Sequence, residues 1–354
     1  MAHPDVQPVP PALAIIVVLS SALIALFLAR ALDRRRRRHD RREGRSLLIL
    51  MRGTLRDEPW TSRMTRAAVR ARAATFWAVV ERLSLGPYRG RLRRLATTLA
   101  TNPHVVAERK RLRDDSPWRR ELAARRLGLL PCRSSSRLLR RALRRGPEPV
   151  TLAAAHALAR ARDLRALRWL LAHPEKLSRR TRRSWASLLT AFRRAGLPEI
   201  AAAFERGITH PTLELAAIDV LGKGGYRGAR ERLEHYLDSG TLEQRVTSAR
   251  ALGLLGAPEC GTSLLAALED EAWQVRAQAA RALGRVRATI AIEAIAARLT
   301  DSSWWVRHHA AYALGALGPD GHEALVRIAR TSSDPYARDM AREVLERGIG
   351  LDVA

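Results

Sequence analysis

Apolar residues recur at helical spacing along most of the chain, most regularly from Ser239 to Gly348. Around Val275, Ala279, Ala282 and Leu283 they fall three or four positions apart, which places one buried stripe on an otherwise polar helix. The pattern is written four times, as QRVTSARALG, VRAQAARALG, VRHHAAYALG and ARDMAREVLE. Arg245, Arg276, Arg307 and Arg338 are 31 residues apart, and so are Leu252, Leu283, Leu314 and Leu345. Gly253, Gly284 and Gly315 follow the first three leucines and read as helix stops. Another apolar helix is expected after each, for example over 289–299, then a polar turn at 300–303. One such pair cannot bury its own apolar face, so the copies must stack.

Carried backwards, the register finds weaker copies at Leu127, Leu158, Leu189 and Leu221, giving eight in all, with a single step of 32. Arg120 and Asp114 keep the basic and acidic positions of the first, whereas Thr151 and Glu214 replace the arginine in two of the middle ones. Pro117, Pro211 and Pro335 fall at expected starts of second helices, and Pro131, Pro198 and Pro258 at expected starts of first helices. Asn102 followed by Pro103 reads as an N-cap opening the array. The fold class is therefore all-α, an α-solenoid over 103–348 with a short tail at 349–354, and no region alternates as a strand would.

The chain's beginning breaks this pattern. Val6 to Ala29 carries no charge, and about 20 apolar residues span the hydrocarbon core of a bilayer. A transmembrane helix is expected over 12–29, after a short extracytoplasmic segment, 1–11. Arg34, Arg35, Arg36, Arg37, Arg38, Arg41 and Arg42 follow within a polybasic segment, 30–45, which by the positive-inside rule places the rest of the chain in the cytoplasm at the inner membrane surface. A cleaved signal peptide is the competing reading, but its positive charge belongs before the apolar run. Residues 46–102 read as a helical linker or cap for the open end of the array, with Phe76, Trp77, Val80 and Leu83 on one side of a helix; Trp60 and Trp77 fit either that core or the bilayer interface.

Charge sharpens the picture. The net charge is +28, and only Lys110, Lys176 and Lys223 among the 63 basic residues are lysine. Arg30 to Gly146 holds 34 basic against 10 acidic residues, whereas Pro147 to Ala354 holds 29 against 24. The excess sits next to the apolar run, so anionic inner-leaflet lipids are favoured over nucleic acid as its counterpart.

The D-x5-R…A-x-x-A-L-G pattern, complete at Asp270 with Arg276 and at Asp301 with Arg307, resembles the HEAT-like repeat family in its phycobilisome-lyase-type form. The resemblance implies a right-handed solenoid in which Asp270, Arg276, Asp301, Arg307, Arg245 and Arg338 form an outward-looking structural ladder. Some members of the wider group are di-iron hydroxylases using repeated His-Glu pairs; here only His322-Glu323 matches, too few ligands for such a site. Others are DNA glycosylases with tryptophans in a basic groove. Trp273 and Trp304 recur at the repeat period, so packing between copies is the favoured reading of them.

No HExxH, P-loop or GxGxxG is present, and Cys132 and Cys260 lack metal-ligand spacing, so no cofactor or metal is expected. Adjacent His308 and His309 are expected to point apart on one helix. What remains is surface. In HEAT-like arrays the second helices tend to line the concave face. Positions two and five after the ladder arginine read Thr247 and Arg250, Gln278 and Arg281, His309 and Tyr312, Met340 and Glu343. Arg250, Gln278, Arg281, His309 and Tyr312 suit a protein partner. The expected function is a non-catalytic, membrane-anchored scaffold. The alternatives are a lyase-like accessory protein acting on a tetrapyrrole-protein or other modified protein and a nucleic-acid-binding protein using the basic N-terminal half.

Overall fold

The computed structural model describes residues 11–56 and 61–348, without the side chains of 11–22, 24, 36, 37, 89 and 90. Among these residues there are twenty α-helices and no strand. The chain divides into two compact units, residues 1–138 and 139–354.

The first unit contains α1 (Pro11–Leu55), α2 (Thr61–Arg70), α3 (Ala73–Leu85), α4 (Leu92–Thr98), α5 (Pro103–Arg111) and α6 (Pro117–Leu129); α7 (Arg133–Arg145) runs across the division. The apolar run, the polybasic segment and the start of the cap were expected as three pieces, but α1 passes through all of them without a break. Its 45 residues correspond to roughly 68 Å of helix. Leu47, Leu48, Met51 and Leu55 at its end are buried against α2, α3 and α4, whereas Leu23, Leu26, Phe27, Leu28 and Leu32 are exposed. Among the described residues no helix is long and apolar enough to cross a membrane. Much of the expected span, together with the 1–11 segment and the 349–354 tail, lies outside those whose side chains are described.

Phe76, Trp77, Val80 and Leu83 form the core of this unit, with the Phe76 and Trp77 rings edge-to-face at 5.0 Å. Trp77 is thus a core residue, not an interfacial one; Trp60 lies outside the described residues. Asn102 caps α5 by accepting from the His104 backbone N–H at 2.9 Å, and Pro103 takes the first helical position. The first of the eight expected copies, that of Leu127, falls in this unit, on α6.

The second unit is a two-layer stack. One layer holds α8 (Glu148–Arg160), α10 (Arg182–Ala191), α12 (Pro211–Lys223), α14 (Leu242–Leu255), α16 (Trp273–Val286), α18 (Trp304–Ala316) and α20 (Pro335–Glu346), each against the next. The other holds α9 (Leu164–Ala172), α11 (Leu197–Arg206), α13 (Arg230–Ser239), α15 (Gly261–Ala266), α17 (Ile292–Ala297) and α19 (Pro319–Thr331). The helix expected over 289–299 is a short α17 between two 3-10 turns. Leu158, Leu189, Leu221, Leu252, Leu283 and Leu314 are buried to 1% exposure or less, which makes them one continuous seam. Leu345 is only half-buried, because no described helix packs beyond α20.

The repeat glycines do not stop their helices. α14, α16 and α18 run past Gly253, Gly284 and Gly315. A Cβ on Gly222, Gly253 or Gly284 would come within 2.7–2.8 Å of Ala251, Ala282 or Ala313 in the next copy. Their role is close approach of neighbouring helices. The turns are made instead by left-handed residues further on, Gly256 at φ 64°, Arg287 at φ 54° and Gly318 at φ 81°.

Candidate functional site

An open cleft of about 1310 Å³ lies between the C-terminal half of α16, the face of α18 and the start of α19. α16 supplies Arg281 and Arg285, and Arg287 follows at its left-handed end. α18 supplies His308, His309, Tyr312, Ala313 and Ala316. The turn after α18 and the start of α19 add Leu317, Pro319, His322, Glu323 and Val326.

The three arginine side chains make no ion pair or hydrogen bond among the described residues. They stand within two turns of α16, and Arg285 is held below the usual guanidinium range by burial and then by the charges of Arg281 and Arg250. The same positive field acts across the cleft. His309 is pushed down to about 4 by burial, with His308, Arg281 and Arg285 adding to the shift, so it is neutral at pH 7. His308 is lowered too, first by burial, and its Nδ1 is buried without a hydrogen-bond partner. The Tyr312 hydroxyl is occupied: it accepts from Arg347 and lies 3.5 Å from a Glu343 oxygen, leaving its ring as the cleft wall.

Of the residues expected to recognise a partner, Arg281, His309 and Tyr312 meet here. Gln278 is half-buried outside the cleft. Arg250 is drawn away by Asp219, which accepts from it at 2.5 Å and from Arg182 at 2.7 Å. Thr247 and Met340 are buried, 2% and 7% exposed, unlike Gln278 and His309 at the same position of the other copies. His308 and His309 were expected to diverge, yet both line the cleft, with ring centroids 5.4 Å apart. Arg285 and Arg287 were not picked out from the sequence. Their signal was the RALGRVR run, three arginines in seven residues of a chain half that is otherwise nearly charge-balanced.

The tryptophans also differ from expectation. Trp273, Trp304 and Trp305 are 40%, 48% and 52% exposed, so none is locked between copies. Trp304 stacks on His308 one turn later, and His308 lies against Tyr312 one turn after that. Spacing of four residues puts these rings in a row along α18 that ends at the cleft.

The ladder residues are linked copy to copy. Arg276 donates from Nε and Nη2 to Asp301 at 2.8 and 2.9 Å, and from Nη1 to the carbonyls of Asp270 and Glu271. Arg245 pairs with Asp270 at 2.9 Å. Each aspartate thus serves the arginine of the preceding copy. Asp301, with a side chain 4% exposed, looks inward rather than outward. Arg307 and Arg338 have no ion pair with an aspartate among the described residues; both donate to carbonyls of their own preceding turns. Where the arginine is missing, Glu214 accepts from Tyr236 at 2.6 Å and from Gln244 at 2.7 Å, and buried Thr151 lies within hydrogen-bonding reach of the Leu143 and Gly146 carbonyls.

Other chemistry is sparse. Glu323 is exposed at the cleft rim beside half-buried His322, and among the described residues no group of three His, Cys, Asp or Glu is placed to hold a metal. Both cysteines are free thiols. Cys260 is buried, and burial pushes it up to about 11. At Cys132 burial acts in the same direction but is outweighed by hydrogen bonds from Ser134, Ser135 and Arg109, which lower the thiol below its ordinary value. Arg34, Arg35, Arg38, Arg41 and Arg42 are exposed along α1; the side chains of Arg36 and Arg37 are not described.

A two-layer stack of helical pairs with an inter-copy Arg–Asp ladder defines a helical-repeat protein. The HEAT-repeat family matches residues 261–346, and the PBS lyase HEAT-like repeat matches residues 244–270. Within the second unit, residues 244–346 are thus similar to HEAT-like repeats. No curated protein matches the sequence. Similar solved structures include the complex of CpcE and CpcF of phycocyanin lyase from Nostoc sp., at 22% identity over 43% of this chain and 98% of that one, TM-score 0.35. An engineered protein is 18% identical over 86% of this chain and 98% of its own, TM-score 0.40. Human deoxyhypusine hydroxylase in complex with glycerol is 19% identical over 81% and 94%, TM-score 0.30.

Proposed function

We propose that the chain is a non-catalytic scaffold that binds a protein partner through the α16–α18–α19 cleft and is tethered to a membrane by the start of α1. The observation that carries the first half is the convergence of Arg281, His309 and Tyr312 on one open cleft, beside a half-exposed row of tryptophan and histidine rings. Aromatic and arginine side chains that can be desolvated together are the residues that carry most protein–protein binding energy. The tether is supported by the uncovered side chains Leu23, Leu26, Phe27, Leu28 and Leu32, and by exposed arginines immediately after them on the same helix. That arrangement fits an inner-membrane location with the repeats in the cytoplasm.

The test is co-purification of the full-length protein from detergent-solubilised membranes, wild type against R281E/Y312A. A partner retained by wild type and lost from the variant supports the reading. An identical set of co-eluting proteins sinks it. Lyase-like activity on a modified protein remains the second reading, favoured by the PBS lyase repeat match at residues 244–270.

A further inference from the structure

We infer that the cleft receives an acidic peptide segment, carboxylates on Arg281, Arg285 and Arg287 and an apolar side chain on the floor made by Ala313, Leu317 and Val326. The inference rests on the protein-scaffold reading and names the chemistry of what that partner presents.

The argument starts from charge. Several half-buried arginines of the second unit are ion-paired: Arg140 with Asp163, Arg180 with Glu148, Arg182 and Arg250 with Asp219, Arg245 with Asp270, Arg276 with Asp301. The three cleft arginines have no such partner among the described residues, although Glu323 stands on the same rim. Arg281 and Arg285 are four residues apart on one helix face, where like charges destabilise the helix. Set in the wall of an open cleft, a local conflict of this kind marks a place where a ligand would resolve it. An incoming carboxylate would cancel the repulsion and form charge-assisted, fork-matched hydrogen bonds.

The opposite wall agrees. Both histidines are held neutral, so they add no charge but offer imidazole N–H donors, and the buried, unpartnered Nδ1 of His308 is a polar atom without a use in the chain itself. The floor is apolar, with Leu317 and Ala313 buried beneath it and Val326 half-buried. A volume of about 1310 Å³ exceeds the roughly 300–1,000 Å³ of small-molecule sites and is open along one side, as an extended peptide requires. Nucleic acid is the poorer fit. A phosphate track needs a long basic path, whereas here three arginines share the cleft with Glu323 in a chain half with 29 basic and 24 acidic residues.

The experiment uses full-length protein in detergent and fluorescence anisotropy with a labelled Glu-Leu-Glu-Leu-Glu pentapeptide. Its Gln-Leu-Gln-Leu-Gln counterpart, citrate and a 20-nucleotide single-stranded DNA serve as competitors. The expected result is saturable binding that R281Q/R285Q weakens at least tenfold. That variant should keep or raise its Tm, since it removes mutually repelling charges. H308Q should weaken binding less, and the glutamine peptide should compete poorly. Absence of peptide binding, an unchanged Kd in R281Q/R285Q, or better competition by citrate or DNA overturns the inference. The two readings separate cleanly. Loss of the cellular partner from R281E/Y312A without peptide binding leaves the scaffold standing and removes the acidic ligand. Peptide binding with the partner retained in R281E/Y312A does the opposite.

Discussion

His309 shows how one side chain reports on its surroundings. Burial first, then a second imidazole and two arginines, oppose its protonation, so its pKa in the folded chain is about 4, against an ordinary 6.5. Between those values the unfolded chain binds a proton that the folded chain refuses. Stability is therefore fully present above pH 6.5 and drains away as pH falls toward 4, by on the order of 1–2 kcal/mol for a partly accessible group. The groups facing it are Arg281, Arg285 and His308, with His322 and Glu323 across the cleft from α19. We expect H309Q to show a shallower loss of Tm from pH 6.5 to 4 than wild type; parallel Tm curves would contradict the assignment. Asp301 carries a dependence of the same sign at lower pH. Burial raises its pKa, but the bonds from Arg276 and the Ser303 backbone N–H win and leave it lowered, so its contribution holds at neutral pH and disappears only in strong acid.

At the scale of the helix, the seam between neighbouring copies is set by glycine against alanine. Gly253 faces Ala282 and Gly284 faces Ala313, a period of 31 residues seen as atomic contact. Replacing either glycine by alanine gains about 1 kcal/mol of helix propensity and loses about 1–3 kcal/mol to overpacking, because the atoms met include backbone that cannot yield. G253A and G284A are expected to lower stability by up to about 2 kcal/mol and Tm by up to several degrees. G261A is the control: its Cβ would meet Ala288 at an ordinary 3.5 Å, and its Tm should not fall. Equal Tm values for all three would show that the helices slide apart at no cost.

For the whole molecule, the governing feature is the run of uncovered apolar and then basic side chains along α1. Its described core contacts begin at Leu47, so removing residues 1–29 leaves the buried part of the first unit intact. Full-length protein is expected in the membrane fraction and the 1–29 deletion in the soluble fraction. The deleted form should also bind anionic vesicles more tightly than duplex DNA at matched physiological salt, since the excess of 34 basic over 10 acidic residues lies next to the apolar run. Full-length protein in the soluble fraction would end the tether proposal.

Periodicity alone was enough to place stacked helical pairs and their seam leucines, because a buried stripe repeats with the turn of the helix and each copy must hide its face in the next. It also found Asn102 as a cap and the starts at Pro117, Pro211 and Pro335, since those effects act within one helical turn. It misread Gly253 and Gly284 as stops, Trp304 as packing between copies, and Arg250 as a free contact. Each of those depends on what a neighbouring helix puts opposite the residue: Ala282, open solvent, Asp219. The cleft belongs to the same kind. Arg281, Arg285 and Arg287 are ordinary arginines in a rich supply of them until folding sets them together in one cleft, with no ion pair among the described residues. Local spacing fixes which residues turn inward, but only packing across copies decides which charges are left without a partner.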